Sequence, residues 1–125
     1  MKRENVLQEK SYAFSLRILK LSKHLRNNGE YPLANQIMRS GTSIGANIEE
    51  ALGGSSYRDF CSKLQIAYKE ARETKYWLRL LKDGEILDKK LSYSLLADCE
   101  EILRLIVSIL NTVKQNLQKK SAANG

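Results

Sequence analysis

Phe60, Leu64, Ala67, Ala71, Thr74, Leu78 and Leu81 follow one another at alternating steps of four and three residues without a break. That alternation keeps side chains on one narrow stripe of an α-helix. A strand repeats every two residues and cannot satisfy it. A stripe this narrow is the seam of helices that pack at a shallow angle of about twenty degrees. Such a helix cannot bury its seam alone, so the chain must carry partners of the same kind.

Three more segments qualify. Leu7, Phe14, Ile18, Leu21 and Leu25 share a face in a helix expected from about Asn5 to Asn27. Asn27–Glu30 ends it, with Gly29 supplying the permissive backbone of a helix terminus. Pro32 suits the first turn of a second helix, about Pro32 to Leu52, whose face is Leu33, Ile37, Ser40, Ile44, Ile48 and Ala51. The third helix is expected over about Tyr57–Lys82, with Ser56 and Asp59 resembling a capping box. Asp83–Glu85 breaks it. The fourth, about Asp88 to Lys119, carries Leu95, Cys99, Ile102, Ile106, Ile109, Val113 and Leu117. Connectors this short make neighbours antiparallel, so the expectation is an all-α, up-down-up-down four-helix bundle. It forms one domain over residues 1–120, followed by a flexible tail at 121–125.

Composition agrees. At 125 residues and 42% apolar the chain can bury a core, whereas 7% aromatic residues and one proline suit helices better than a sandwich or barrel. No apolar run reaches membrane-spanning length, and MKRENVLQEK lacks the apolar segment of a signal peptide, so a cytoplasmic protein is expected. Cys61 and Cys99 read as small apolar fillers. The net charge is +7; residues 1–31 hold seven bases and three acids, the strongest local excess. A nucleic-acid partner is compatible with that, and so is a set of solvated lysines.

The stretch RSGTSIGANIEEALGGS, Arg39–Ser55, tests for an enzyme. A phosphate-binding loop needs a preceding strand and a following Gly-Lys-Ser/Thr, and neither is present. A dinucleotide fingerprint fails for want of the same context. Ile37, Ile44 and Ile48 keep their period through Gly41 and Gly45, so the helix is expected to continue there. Interior glycines cost about 1 kcal/mol each relative to alanine, a cost that close approach of a neighbour would offset. Beside the core face runs a second stripe, Arg39, Ser43, Ala46 and Glu50, with Asn47 at its edge. On the third helix Glu70, Glu73 and Trp77 share a side with Ile66 and Leu80. These small and charged groups read as a polar seam between helices or subunits, with Arg39 or Lys10 as the cation for the carboxylates. A single histidine, His24, supports no catalytic triad and no metal spacing. No enzyme, metal or cofactor is expected.

The first helix has a second apolar side, Tyr12, Leu16 and Leu19, that a small bundle cannot also bury, which points to a homo-oligomer. Along another side Arg3, Lys10, Arg17, Lys20 and His24 form a basic stripe, the candidate contacts for RNA or DNA. The alternative is a protein-interaction scaffold whose charge serves solubility.

KSYAFSLRILKLSKHL, QIMRSGTSIGANIEEA and SYRDFCSKLQIAYKEARETKYWLRLL, in that order and spacing, resemble a four-helix-bundle family. Its founding members are encoded within intervening sequences of bacterial large-subunit ribosomal RNA genes. The resemblance runs from about Lys10 to Leu81. The family's polar signature falls on Arg39, Ser40, Ser43, Ile44, Asn47, Ile48 and Glu50. Its downstream elements fall on Ser56, Asp59, Phe60, Lys69, Glu70, Glu73, Thr74, Tyr76, Trp77 and Leu78. Gly53–Gly54 departs from the pattern, where a bulkier residue is common. The family is similar in fold to accessory proteins of diversity-generating retroelements, pentameric barrels that associate with a reverse transcriptase and nucleic acid. The resemblance implies a homopentamer around a central channel, and no enzymatic activity is established for the family.

Overall fold

The computed structural model describes residues 2–124. Four helices account for nearly all of it: α1 (Lys2–Asn27), α2 (Tyr31–Leu52), α3 (Tyr57–Asp83) and α4 (Lys89–Asn124). Each packs on its two neighbours and none across the diagonal, so the bundle is the antiparallel up-down-up-down form. All but two of the helix ends fall within one residue of the expected positions, and one of those two is the start of α1, at Lys2 rather than Asn5. The other is the end of α4, which continues through Ser121–Asn124, where the sequence suggests a flexible tail, with those residues helical and exposed. Met1, at the start of the expected domain, and Gly125, at the end of the expected tail, lie outside the described residues.

Local chemistry sets the boundaries. The residue that lets the chain turn out of α1 is Gly29, in the left-handed region at φ +80°. Pro32 occupies the first turn of α2, where no N–H is required. The Ser56 hydroxyl caps α3 by accepting from the Asp59 amide at 3.1 Å. At the third connector the positive φ of 58° falls on Glu85, not on Gly84. The Asp88 carboxylate then accepts from the Leu91 amide at 3.0 Å and opens α4.

The predicted seams converge on one core. Phe14, Ile18, Ile37, Ile44, Ile48, Leu64, Leu78, Leu95, Ile102 and Ile106 are all essentially inaccessible. Burying each branched side chain contributes about 1.5–3 kcal/mol against exposure, the main force joining the four seams. Cys99 belongs to this core; burial pushes its thiol up to about 12, and it donates to the Ala71 carbonyl at 3.3 Å. Among the predicted core residues Leu33 and Phe60 are partly buried against this core, and Leu117 is exposed, at 44%. Leu117 sits near the open end of the bundle beside Tyr57 and Phe60, at the start of α3, where little remains for α4 to pack against.

Candidate functional site

The glycine-rich centre of α2 is helical throughout and pressed against α1. A Cβ placed on Gly41 would fall 2.8 Å from both Cγ1 and Cγ2 of Ile18. One on Gly45 would lie 3.1 Å from the Ser15 hydroxyl and 3.6 Å from the Ser11 carbonyl oxygen. The glycines therefore serve helix–helix approach. Serines on the facing side of α1 continue the theme: Ser11 and Ser22 are buried, and Ser22 Oγ donates to the Ala34 carbonyl at 3.3 Å.

On its other flank α2 meets α3 through polar groups. Arg39 is the cation that the two carboxylates require: it bonds Glu70 at 3.3 Å and makes a short contact to Glu73. Trp77 Nε1 donates to the same Glu73 carboxylate at 2.9 Å. Lys10 is engaged elsewhere. One turn deeper, the hydroxyls of Ser40 and Thr74 lie 2.9 Å apart, both completely buried. Glu50 reaches Lys63 of α3 at 3.3 Å, while its neighbour Glu49 turns to Gln8 of α1. Ser43 and Asn47 take no part in the cross-helix network. Ser43 Oγ donates to the Arg39 carbonyl and Asn47 Nδ2 to the Ser43 carbonyl, both one turn back on α2 itself.

The Ser40–Thr74 pair can be tested by a double-mutant cycle. Thr74→Val alone removes the partner of the buried Ser40 hydroxyl and should cost about 1–3 kcal/mol in urea unfolding, whereas Ser40→Ala should cost less because the Thr74 hydroxyl still donates to the Glu70 carbonyl at 2.8 Å. Adding Ser40→Ala to Thr74→Val should then cost little or recover part of the loss, because it removes the hydroxyl left buried and unpaired.

The basic stripe of α1 is for the most part a ladder to α4. Arg3 donates to Ser108 and Thr112 at 2.6 and 2.8 Å. Lys10 pairs with Glu101 at 3.0 Å. Arg17 pairs with Asp98 at 2.6 Å and donates to Ser94 at 3.1 Å. Steps of seven down α1, at 3, 10 and 17, meet steps of seven up α4, at 108, 101 and 94, the register of two antiparallel helices. The α1–α4 interface is the most open of the four, and these long side chains bridge it. Each rung is partly solvated and individually worth well under 1 kcal/mol. Lys20 and His24 line the same furrow with Arg17 and Leu91, without an acidic partner among the described residues.

A second basic stripe escapes a reading centred on α1. Tyr68, Arg72, Lys75, Arg79 and Lys82 lie on α3 at steps of four, three, four and three, away from Glu70, Glu73 and Trp77. The period was available in the sequence, but nothing there told which of several charged stripes is held by close partners and which is only loosely paired. Among the described residues no group of three or more His, Cys, Asp or Glu side chains gathers as a metal would need. No helix among them is long and apolar enough to cross a membrane.

An antiparallel bundle with an arginine–carboxylate clasp between its second and third helices and small residues where the second meets the first defines the class. The family model for the 23S rRNA-intervening sequence protein matches residues 3–108. The chain belongs to this family, and the match extends beyond Lys10–Leu81 into α4. A solved structure, a protein of unknown function from the S23 ribosomal protein family of Bacteroides thetaiotaomicron, is 45% identical with a TM-score of 0.85, covering 87% of this chain and 98% of that one. The comparison with curated proteins gave no match.

Proposed function

We propose that the protein is a non-enzymatic, self-associating bundle that binds RNA through its basic outer surfaces. The observation that carries the reading is a face with two opposed needs. On α1, Tyr12, Leu16 and Leu19 are 66%, 46% and 37% exposed, and on α3 Ile66 and Leu80 are 39% and 40% exposed. Both sets flank the outer side of α2, which offers Asn35, Arg39, Thr42 and Ala46, short or already engaged groups that let another helix come close. Apolar rims around a flat strip suit a second copy of the chain. A homopentamer is the number implied by likeness to the retroelement accessory proteins.

RNA is favoured because the excess charge lies mostly away from that face. Residues 102–125 carry Arg104, Lys114, Lys119 and Lys120 and no acid at all, and repetition around an oligomer multiplies a modest local excess. Binding of that kind is largely sequence-blind and falls steeply with salt.

Light scattering should give a mass several times 14.3 kDa, and Leu16→Glu with Leu19→Glu should reduce it to the monomer without loss of helicity. An RNA containing both stems and loops should shift on a native gel at low salt and be released as salt rises. Wild-type protein that scatters as a monomer, or leaves the RNA unshifted at low salt, refutes the corresponding half. The reading as a protein-interaction scaffold predicts capture of a protein that survives nuclease and no RNA shift.

A further inference from the structure

We infer that the furrow between α3 and the N-terminal half of α4 is the nucleic-acid contact, and that it takes a single strand, not a duplex. The inference rests on the RNA-binding reading and locates it on a surface other than the basic stripe of α1.

Three observations carry it. The first is periodicity: the α3 stripe Tyr68–Lys82 spans 14 residues, about 21 Å of helix, and presents four cations in succession. The second is their chemistry. Arg72 is exposed, and its guanidinium stays on α3, donating to the Tyr68 hydroxyl at 3.2 Å and lying 5.9 Å from that ring's centroid. Arg79 is exposed and has no acidic partner among the described residues. Lys75 and Lys82 are only loosely paired, with Glu100 and Asp83, each at 3.5 Å. On α1, by contrast, Arg3, Lys10 and Arg17 hold close partners on α4, so they are not available without opening that interface. The third is aromatic: Tyr93 of α4 stands 59% exposed across the furrow, with Lys82 Nζ 4.8 Å from its ring centroid.

A row of cations beside an open aromatic face is what a strand with unstacked bases needs. The cations track phosphates, and the ring stacks a base whatever its identity. Lys75, Arg79 and Lys82 of α3 with Tyr93, Leu96 and Glu100 of α4 enclose the furrow. The furrow is a shallow surface groove, and its exposed Tyr93 ring can stack only on a base that is itself unstacked, which a single strand offers and a duplex does not. Phosphates and base faces are common to RNA and DNA strands, so the two share the chemistry. The furrow also lies away from the apolar rims at Tyr12, Leu16, Leu19, Ile66 and Leu80, so self-association leaves it open.

The test is fluorescence anisotropy at low salt with labelled oligouridylate, oligothymidylate and an RNA duplex of equal length. Wild-type protein should bind the two single strands within a few-fold of each other and the duplex more weakly. Arg72→Ala with Arg79→Ala should weaken strand binding about tenfold and reduce the slope of log K against log salt by about 1.4, two phosphate contacts at about 0.7 each. Tyr93→Ala should weaken it about tenfold with the slope unchanged, and Tyr93→Phe should restore it. The charge-matched control Lys23→Ala with Arg58→Ala, two exposed cations that do not line the furrow, should change binding less than twofold. A duplex bound as tightly as the strands, or a control pair that matters as much as the α3 pair, overturns the inference while leaving RNA binding intact. No binding of any probe by wild-type protein defeats the underlying reading instead. The substituted side chains are largely solvent-facing, and unchanged melting by circular dichroism verifies that the fold survives.

Discussion

Gly41→Val is expected to destabilise the protein by about 3 kcal/mol and to lower its melting temperature by about 10 °C. A single added carbon at this position already falls 2.8 Å from two carbons of Ile18. Those carbons sit on the branch point of a β-branched side chain that is completely buried, so it cannot swing aside. Valine adds two further carbons to the same space. The gain in helix propensity over glycine, a few tenths of a kcal/mol, is too small to compensate. The cause can be isolated, because Ile18→Ala removes the obstacle. In that background, itself destabilised by about 2–5 kcal/mol, adding Gly41→Val should cost less than about 1 kcal/mol, a strong coupling between the sites. Gly45→Ala makes the contrast. Its nearest obstacle is the half-buried Ser15 hydroxyl at 3.1 Å, which can rotate away, and the propensity gain of about 1 kcal/mol offsets the crowding. Chemical denaturation of the four variants decides between a glycine kept for packing and one kept for a backbone turn. If Gly41→Val unfolds at the wild-type midpoint, α1 and α2 do not approach so closely at Ile18.

Phe14→Ala should cost more, about 3–5 kcal/mol. The ring is 1% exposed and is among the largest fully buried side chains of the bundle. Truncation removes its transfer free energy and leaves a cavity that rigid helices cannot fill. For a domain with 5–15 kcal/mol in hand, that is a third of the total or more. Leu16→Ala, two residues along the same helix, should change the melting temperature of the dissociated chain by less than about 2 °C, since Leu16 is 46% exposed. Together the two substitutions separate the inner face of α1, which holds the fold, from the outer face assigned to association. Equal effects from both would mean that α1 turns a different face to the core.

Much of the α2–α3 clasp was legible from residue types. Two carboxylates beside Ile66 and Trp77 demand a cation, and Arg39 lay at the matching height on the preceding helix. The charge on α1 was harder to read. Arg3, Lys10, Arg17 and His24 repeat every seven residues, and that period is equally that of a free stripe and of a ladder to a neighbour. Only the position of α4 separates the two, and it brings Glu101, Asp98, Ser94 and Ser108 opposite three of the bases. The same ambiguity hid the α3 stripe, whose sequence signal was no weaker.

The sequence by itself determined what is periodic and local: four helices, their seams, and the caps and turns at Gly29, Pro32 and Ser56. These follow from backbone sterics and from the repeat of apolar side chains, which act within a few residues. The tertiary structure alone decided which charges are engaged and which are open to a partner. Whether a guanidinium has a carboxylate opposite depends on the register between helices distant in the chain. That register is set by the packing of Ile18 against Gly41 and its counterparts through the core, not by the charged residues themselves.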